Sequence, residues 1–370
     1  MAKLGAGVRK RDNGLLEKRF TIKGVRYSVY GSNTKELTEK EHEIRKRIDA
    51  GLNKKNRRVI LNDYFAEIIE RKKVDTKENS LLTYKTIYDK HIKSRLGNYK
   101  VRDIERRQII DLQMKLSQEL KAGTVNYIIT VLRIIFNEAI KDEIIIKNPA
   151  SNIKSVKQTE KATETFHRAL TEQEQKLFMM EARRSYYYEL FALMLCTGMR
   201  FGEVCALTWG DIDFKNNVIH INKTQTFTID GKLTNGSPKS EASNREIPIT
   251  NTIREILISQ REKLGGVFNI DMKNDIVFLS MYGNELRNTT FNNEIKRILN
   301  RLKDHGHDIE GFTSHAFRDT FATRFIEQGG NMQTLKTILG HKKISITMDL
   351  YAHVLPNTKQ EEMDKIYIAI

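Results

Sequence analysis

The spacing of hydrophobic and polar positions changes along the chain and divides it into segments of different structure. Within residues 1–58, short runs alternate as β-strands do, with Lys23-Gly24 as a hairpin turn between two of them. An earlier run near Gly7–Arg11 predicts a third strand across a turn at Asp12-Asn13-Gly14. The apolar positions of the two main runs are Leu16, Phe20, Ile22, Tyr27 and Val29.

A charged helix is predicted after these strands. Thr38 is expected to begin it, because Thr38 and Glu41 have the spacing of a capping box, and Gly51 is expected to end it. The first segment is therefore predicted to be a small sheet with one helix behind it.

Residues 59–155 show the period of amphipathic helices throughout. Helices of this length bury their apolar faces against one another, so the pattern predicts a compact helical bundle. The four predicted helices span 61–72, 80–92, 102–120 and 124–145.

Residues 156–169 are polar and have no period, which predicts a linker, and residues 170–370 are predicted to form a further domain. Thr171 caps a helix there, a long apolar helical stretch is interrupted at Gly198, and strand signals precede four more helices. The predicted fold class is mainly α with small β-sheets (α+β), in which a sheet-plus-helix domain and a helical bundle precede a mixed α/β domain.

The composition excludes several classes of protein. No apolar run is long enough to cross a membrane, and the polar start of the chain is unlike a secretory signal. Two cysteines, Cys196 and Cys205, are too few for the disulfide framework of a secreted fold, and no zinc-ligand spacing occurs. These features lead us to expect a reducing cytoplasm and no bound metal.

The net charge of +16 favours a polyanionic partner, and its distribution is uneven. Residues 1–58 hold 17 Lys and Arg against 7 Asp and Glu, whereas residues 156–370 hold 28 against 27. The first segment is therefore predicted to bind nucleic acid with its sheet, although a solvated basic tail would show the same charge. The candidate contact residues are Arg9, Lys10, Arg11, Lys18, Arg19, Lys23 and Arg26.

Candidate chemistry is concentrated in the third domain. Arg200 lies between Gly198 and Gly202 in an apolar helical region, where an arginine needs an anion or a carboxylate as a partner. Glu203 or Asp211 could be a purely structural partner for it. His315 and Arg318 have helical i, i+3 spacing, and His341 and Tyr351 follow; taken singly, such residues are more often structural than catalytic.

Four stretches together resemble the catalytic domain of the tyrosine recombinases, or phage-type integrases. They are TGMRFGEVCALTWGDID at 197–213, PKSEASNREIPI at 238–249, SHAFRDTFAT at 314–323 and LGHKKISITMDLYAHV at 339–354. Residues 59–155 resemble the family's helical, SAM-like core-binding domain. Residues 1–58 resemble the arm-type DNA-binding domain of conjugative-transposon and phage integrases.

The resemblance implies a role for each residue that matches the family's motif. Arg200 and Arg318 clamp the phosphate, His315 is the histidine beside the second arginine, and His341 donates to a phosphate oxygen. Tyr351 is the nucleophile that forms a 3′-phosphotyrosine, and Lys239 is the general acid, with Lys223 and Lys232 as alternatives. No acidic cluster or phosphate-binding loop is present, so no metal, ATP or other cofactor is expected.

The implied function is integration and excision of a mobile element by a site-specific DNA recombinase. Its expected partners are double-stranded DNA with core-type and arm-type sites, a homotetramer in the synapse formed from free monomers, and an accessory excisionase or DNA-bending protein. The expected location is the bacterial cytoplasm, at the nucleoid. Alternatives are a topoisomerase or resolvase with the same tyrosine chemistry and a non-catalytic DNA-binding protein, and residues 358–370 could dock either in cis or on a neighbouring protomer.

Overall fold

A computed structural model of the chain describes residues 7–11, 14–22, 25–49, 58–157, 168–236, 243–265 and 275–351. The chain divides into two compact units, Met1–Ala162 and Thr163–Ile370. The fold is mainly helical with small antiparallel sheets, as the sequence predicted. None of the helices among the described residues is long and apolar enough to cross a bilayer.

The first unit begins with a three-stranded antiparallel sheet in the order β1-β2-β3. The predicted third strand is present, and one helix packs against the sheet through Phe20, Ile22, Val29 and Leu37. The predicted turn residues Lys23 and Gly24 lie outside the described residues, and Ile22 and Val25 on either side of them are paired. These elements are β1 (Val8–Lys10), β2 (Leu16–Ile22), β3 (Val25–Gly31) and α1 (Thr34–Asp49).

The predicted start of α1 is wrong by four residues. Asn33 accepts a hydrogen bond from the backbone N–H of Glu36 (2.9 Å) and so provides the cap. Thr38 lies one turn inside the helix, where its hydroxyl donates to the carbonyl of Thr34 (2.9 Å). The capping-box spacing of Thr38 and Glu41 was therefore coincidental.

The bundle that follows has the four predicted helical segments, and the second of them contains a π-helical turn at Tyr88–Ile92. Phe65 and Tyr88 stack in its core with ring centroids 3.8 Å apart. The third helix begins later than predicted, at Arg106, because Glu105 and Gln108 form its capping box. The helices are α2 (Leu61–Lys72), α3 (Glu78–Ile87), α4 (Lys93–Leu96), α5 (Arg106–Glu119) and α6 (Ala122–Lys141).

The second unit surrounds an aromatic core that includes Phe178, Phe191, Phe291 and Phe317, all fully buried. Its helices before the strands are α7 (Glu172–Ala182), α8 (Tyr188–Thr197) and α9 (Phe201–Cys205). Thr171 caps α7 as predicted, since its hydroxyl accepts from the N–H of Glu174. The later helices are α10 (Asn251–Gly265), α11 (Asn288–Asp304), α12 (Ala316–Glu327), α13 (Met332–Leu339) and α14 (Ile344–Tyr351).

Two small sheets complete this unit. One has the order β4-β5-β8 and is antiparallel, and the other is the β6–β7 hairpin. The sequence predicted these strands except β4, which has only two residues. The strands are β4 (Ile212–Asp213), β5 (Val218–Ile221), β6 (Thr224–Phe227), β7 (Leu233–Gly236) and β8 (Arg245–Pro248).

Candidate active site

Arg200 stands where the chain passes from α8 into α9. Gly198 ends α8 with a left-handed φ of 63°, and a Cβ at this position would lie 2.4 Å from a ring carbon of Phe321. Arg200 is then the N-cap residue of α9, and its backbone N–H donates to Glu203 (2.9 Å). This turn fixes the arginine at the helix start with its side chain 36% exposed, so solvent or a ligand can reach it.

Glu203 holds two arginines on one buried carboxylate. Arg200 donates to it from Nη1 (2.8 Å), and Arg245 on β8 donates from both Nη atoms (3.1 and 2.8 Å). Burial alone would raise the pKa of Glu203, but hydrogen bonds and charges from Arg245 and Arg200 lower it to about 2. Of the two structural partners considered for Arg200, Glu203 is therefore the one observed; Asp211 pairs with Lys223 instead (2.6 Å).

Arg318 lies on the first turn of α12 and is buried. Its Nη1 donates to the carbonyl of Gly198 (2.9 Å), and its Nη2 donates to the carbonyl of Leu339 (2.6 Å) and to Nε2 of His341 (2.8 Å). One guanidinium thus joins the turn before Arg200 to the end of α13. Arg245 reaches the same helix end by donating from Nε to the carbonyl of Ile338.

His341 follows Gly340, whose left-handed φ of 67° ends α13. Its Nε2 must accept, since a guanidinium can only donate, so Nδ1 carries the proton and donates to the hydroxyl of Thr347 (2.8 Å). Burial, followed by the charges of Arg318, Arg200 and Arg245, lowers the pKa of His341 to about 4. The ring is therefore neutral at pH 7, and donation to a phosphate oxygen would require its other tautomer.

For Tyr351 and His315, two further predicted site residues, the structure gives different amounts of detail. Tyr351 is the last residue of α14, one helical turn after Thr347, but its side chain lies outside the described part of the chain. His315 is the N-cap residue of α12 and is exposed, whereas Arg318 one turn later points into the interior. The structure thus brings together Arg200, Arg318 and His341.

Lys239 lies in the gap between Gly236 and Ser243, outside the described residues. Of the alternatives, Lys223 is bound to Asp211 and to the hydroxyl of Thr208 (3.1 Å), whereas Lys232 is exposed in the β6–β7 turn. The hairpin itself approaches α9 closely. A Cβ on Gly202 would come 2.8 Å from the Thr224 hydroxyl, so a glycine is needed to hold the hairpin beside Arg200.

Sequence analysis did not identify Arg245 and Thr347 as site residues. Arg245 carried a signal: it alternates with Ile247 on β8, and both face inward. An arginine on the buried side of a strand requires a carboxylate partner, and Glu203 is that partner. Thr347 is fully buried but carried no comparable signal, because helix α14 was not predicted.

The cations of the N-terminal sheet are divided between its two faces. Arg9, Arg11, Arg19 and Arg26 alternate with the core residues and lie on the outer face, away from α1. Lys18 lies on the helix side, where it pairs with Glu41 (2.6 Å), and Lys10 shares that side with Val8. Lys23 lies outside the described residues.

Comparison with known proteins identifies the family. Residues 168–358 match the phage integrase family, and residues 60–117 match the N-terminal SAM-like domain of phage integrases. A XerC-like tyrosine recombinase of Caldanaerobacter subterraneus is 30% identical over 92% of this chain and 91% of its own length. The ICEBs1 integrase of Bacillus subtilis is 29% identical over 94% of this chain and 93% of its own length.

Solved structures show the same fold. The Tn1549 transposon integrase, in complex with circular intermediate DNA, matches 84% of this chain and all of its own with a TM-score of 0.70 at 23% identity. A lambda integrase dimer bound to a core site matches all of this chain and 99% of its own with a TM-score of 0.63 at 18% identity. The chain belongs to the phage integrase family. It is a tyrosine recombinase, an enzyme of site-specific DNA recombination, as the four sequence motifs predicted.

Proposed function

We propose that this enzyme integrates and excises a mobile DNA element, such as a prophage or a conjugative transposon, through a 3′-phosphotyrosine on Tyr351. The observation that supports this most is the meeting of Arg200, Arg318 and His341 at the end of α13, immediately before the helix that ends in Tyr351. Guanidinium groups from two different helices can neutralise both non-bridging oxygens of one phosphodiester.

Each residue has one role in the proposed cleavage step. Tyr351 attacks phosphorus, a bond forms between its phenolic oxygen and the phosphorus, and the bond to the 5′ oxygen breaks. His315 accepts the phenolic proton, and Lys239 protonates the departing 5′ oxygen. Arg200 and Arg318 stabilise the charge of the pentavalent transition state. Rejoining is the reverse reaction with a different 5′ hydroxyl, so neither metal nor nucleotide is consumed.

The test is covalent trapping on a nicked duplex that carries the junction between the element and its host DNA. The wild-type protein should give a slowly migrating protein–DNA band on a denaturing gel, and Tyr351→Phe should give none. Tyr282→Phe, which alters an exposed tyrosine of the same unit, is the matched control and should keep the band. A band that persists in Tyr351→Phe would show that another residue is the nucleophile.

We further propose four functional parts of the chain. They are an arm-type DNA-binding domain at 1–58, a core-binding domain at 59–155, a linker at 156–169 and the catalytic domain at 170–370. The outer face of the N-terminal sheet supports the first of these, because four arginines project from it. Arg9, Arg11, Arg19 and Arg26 bind the arm-type site, and Lys23, which follows β2 in the sequence, assists them. Lys18 instead pairs with Glu41 on α1, and Lys10 lies on the same face of the sheet as Lys18.

The assembly that acts on DNA is proposed to be a homotetramer formed from free monomers in the cytoplasm, at the nucleoid. An accessory excisionase or DNA-bending protein sets the direction of the reaction. A lambda integrase tetramer bound to a Holliday junction has this fold and supports the proposed assembly. Light scattering measures the mass of the protein alone, where a monomer is expected, and on a core-site duplex, where a tetramer is expected. A tetramer without DNA would contradict the proposal.

A further inference from the structure

Among the described residues of the N-terminal sheet, a single carboxylate lies in the middle of the arginine-rich face. Glu17 on β2 accepts hydrogen bonds from the Nε atoms of Arg9 (2.5 Å), Arg11 (3.0 Å) and Arg19 (2.8 Å). The hydroxyl of Tyr30 lies 3.4 Å from the same carboxylate. The hydrogen bonds of Arg11, followed by those of Arg19 and Arg9, hold the pKa of Glu17 well below its usual range, so it stays charged.

The exposures of these side chains show which of them a ligand can reach. The side chain of Glu17 is 1% exposed, whereas those of Arg9, Arg11 and Arg19 are 54%, 42% and 50% exposed. The carboxylate therefore lies beneath the three guanidinium groups and cannot meet a DNA base while they cover it. A negative charge facing phosphates directly would weaken binding, but this one is covered by three positive charges.

The contacts also leave the arginines able to bind a second partner. All three donate to Glu17 from Nε, the guanidinium nitrogen nearest the chain. Among the described residues, the Nη atoms of Arg9 and Arg19 have no hydrogen-bond partner, and these outer atoms are the ones that reach phosphates or guanine edges. Arg11 is held in addition by the ring of Tyr30, 5.4 Å from its guanidinium carbon.

We infer that Glu17 is a positioning residue that fixes Arg9, Arg11 and Arg19 in one arrangement on the sheet and thereby determines which arm-type DNA sequence the domain recognises. This inference rests on the proposed DNA-binding role of the sheet. Long side chains lose conformational entropy when they are ordered on DNA, and Glu17 imposes that order before binding. Without it, the face keeps its positive charge but loses its fixed geometry.

The inference predicts different effects on two affinities, that for the recognised DNA sequence and that for unrelated DNA. Removing a negative charge from a DNA-binding face ordinarily strengthens binding to every sequence, because the electrostatic attraction grows. Removing the carboxylate of Glu17 should instead weaken binding to the recognised sequence while binding to unrelated DNA is unchanged or stronger. A purely structural role would lower both affinities together.

The experiment first identifies a duplex that reports on this face. The full-length protein and its Arg19→Gln variant are each used to select from a pool of duplexes with randomised sequence. Sequences enriched by the wild type but not by the variant depend on the sheet. Absence of any such sequence would overturn the proposed arm-type function itself, and this outcome is distinct from a failure of the present inference.

The affinity of full-length variants is then measured for the selected duplex and for a scrambled duplex of the same composition. Glu17→Gln should lower the ratio of the two affinities about tenfold, as expected when more than one ordered contact is lost, and should leave the scrambled duplex bound at least as tightly. Glu41→Gln is the matched control: it removes the same charge from the other face, where Glu41 pairs with Lys18 and Arg45, and should leave the ratio unchanged.

Glu17→Asp provides a test that does not alter the charge. Its carboxylate is one methylene shorter and cannot meet all three Nε atoms in their present positions, so the ratio should again fall. It also replaces Glu17→Gln if that variant fails to fold, as judged by its thermal unfolding transition. An unchanged ratio in a folded Glu17→Gln or Glu17→Asp, or an equal fall for both duplexes, would overturn the inference.

Discussion

His341 makes the stability of the candidate active site depend on pH. Its ring accepts from Arg318 at Nε2 and donates to Thr347 from Nδ1, and the first of these bonds requires the neutral imidazole. Burial of the ring and, after it, the surrounding arginines disfavour a positive charge on His341, so protonation is easier in the unfolded chain than in the folded one. The site should therefore lose stability in mild acid, well before most carboxylates are protonated.

The size of this effect follows from the two pKa values of His341. The pKa is about 4 in the folded chain, against the ordinary value of 6.5 in the unfolded chain. Between these values the unfolded state binds more protons, so the free energy of unfolding falls as the pH is lowered. From pH 7 to pH 5 the loss is about 2 kcal/mol.

Urea unfolding of the wild type and of His341→Gln, each at pH 7 and at pH 5, measures this loss in the free energy of unfolding. The variant should show about 2 kcal/mol less dependence on pH than the wild type. His307→Gln, which changes an exposed histidine, should behave like the wild type. Equal pH dependence in the wild type and in His341→Gln would contradict the prediction.

At the scale of elements, the position of α14 relative to α13 decides where Tyr351, the proposed nucleophile, can act. One link between them is the hydrogen bond from His341, just after α13, to Thr347 on α14. Thr347 is fully buried, so its hydroxyl cannot exchange this partner for water without local opening. We expect this bond to hold Tyr351 in the same protomer as Arg200 and Arg318, the residues proposed to bind the phosphate.

Thr347→Val tests this link because valine keeps the shape of threonine and removes the hydroxyl. A buried donor left unsatisfied costs about 1–3 kcal/mol, so covalent trapping should slow by roughly 5- to 150-fold, with DNA affinity unchanged. Thr347→Ser should restore the rate. The control Thr337→Val removes a hydroxyl that bonds only within α13, to the carbonyl of Gln333, and should have no effect on the rate. Trapping at the wild-type rate in Thr347→Val would rule out this role.

Local sequence patterns predicted most elements, and the misses have physical causes. The apolar period located the bundle and the helices around Gly198, since burial of one face imposes that period. The start of α1 was misplaced because two polar sites, Asn33 and Thr38, could both cap, and the contact of the helix with the sheet selects the first. Helix α14 was missed because Lys343, which precedes it, is not a capping residue, whereas α13 has Asn331 as its cap and Gly340 at its end.

The candidate site was predictable as a set of residue types but not as a network of contacts. The motifs supplied Arg200, Arg318 and His341, which the structure brings together. No sequence pattern could show that Arg318 would bond the carbonyls of Gly198 and Leu339, because those partners lie 120 and 21 residues away. The ionic partner of Arg200 was likewise undecided between Glu203 and Asp211 until Lys223 was seen to take the second.

For the whole molecule, the distribution of charge favours a division of tasks, in which the proposed arm-type domain recognises DNA and the proposed catalytic domain cuts it. Residues 1–58 carry a net charge of +10, and residues 156–370 carry a net charge of +1. We therefore expect the first segment to supply most long-range attraction for DNA, whereas the proposed active site places Arg200 and Arg318 beside the phosphate that reacts. The salt dependence of DNA binding should accordingly arise largely from the N-terminal sheet. Within the sheet, only cations on the face that contacts DNA should contribute to it.

Lys18 and Arg19 offer a test in adjacent residues of one strand, since they lie on opposite faces of the sheet. Each loses one positive charge when replaced by glutamine. Arg19→Gln should make the logarithmic dependence of affinity on salt less steep by about 0.9, the value for one lost phosphate contact. Lys18→Gln should leave the slope unchanged, because that lysine is bound to Glu41 on α1.

The measurement is a titration of the arm-type duplex at several salt concentrations between about 50 and 200 mM. Covalent trapping on a core-site duplex, which uses the catalytic unit, should be the same for both variants and for the wild type. Equal slopes for Lys18→Gln and Arg19→Gln would mean that only net charge matters and that neither face is selected. If trapping also failed in Arg19→Gln, the recognition of arm-type DNA and the cutting of core DNA could not be separate tasks of the two units.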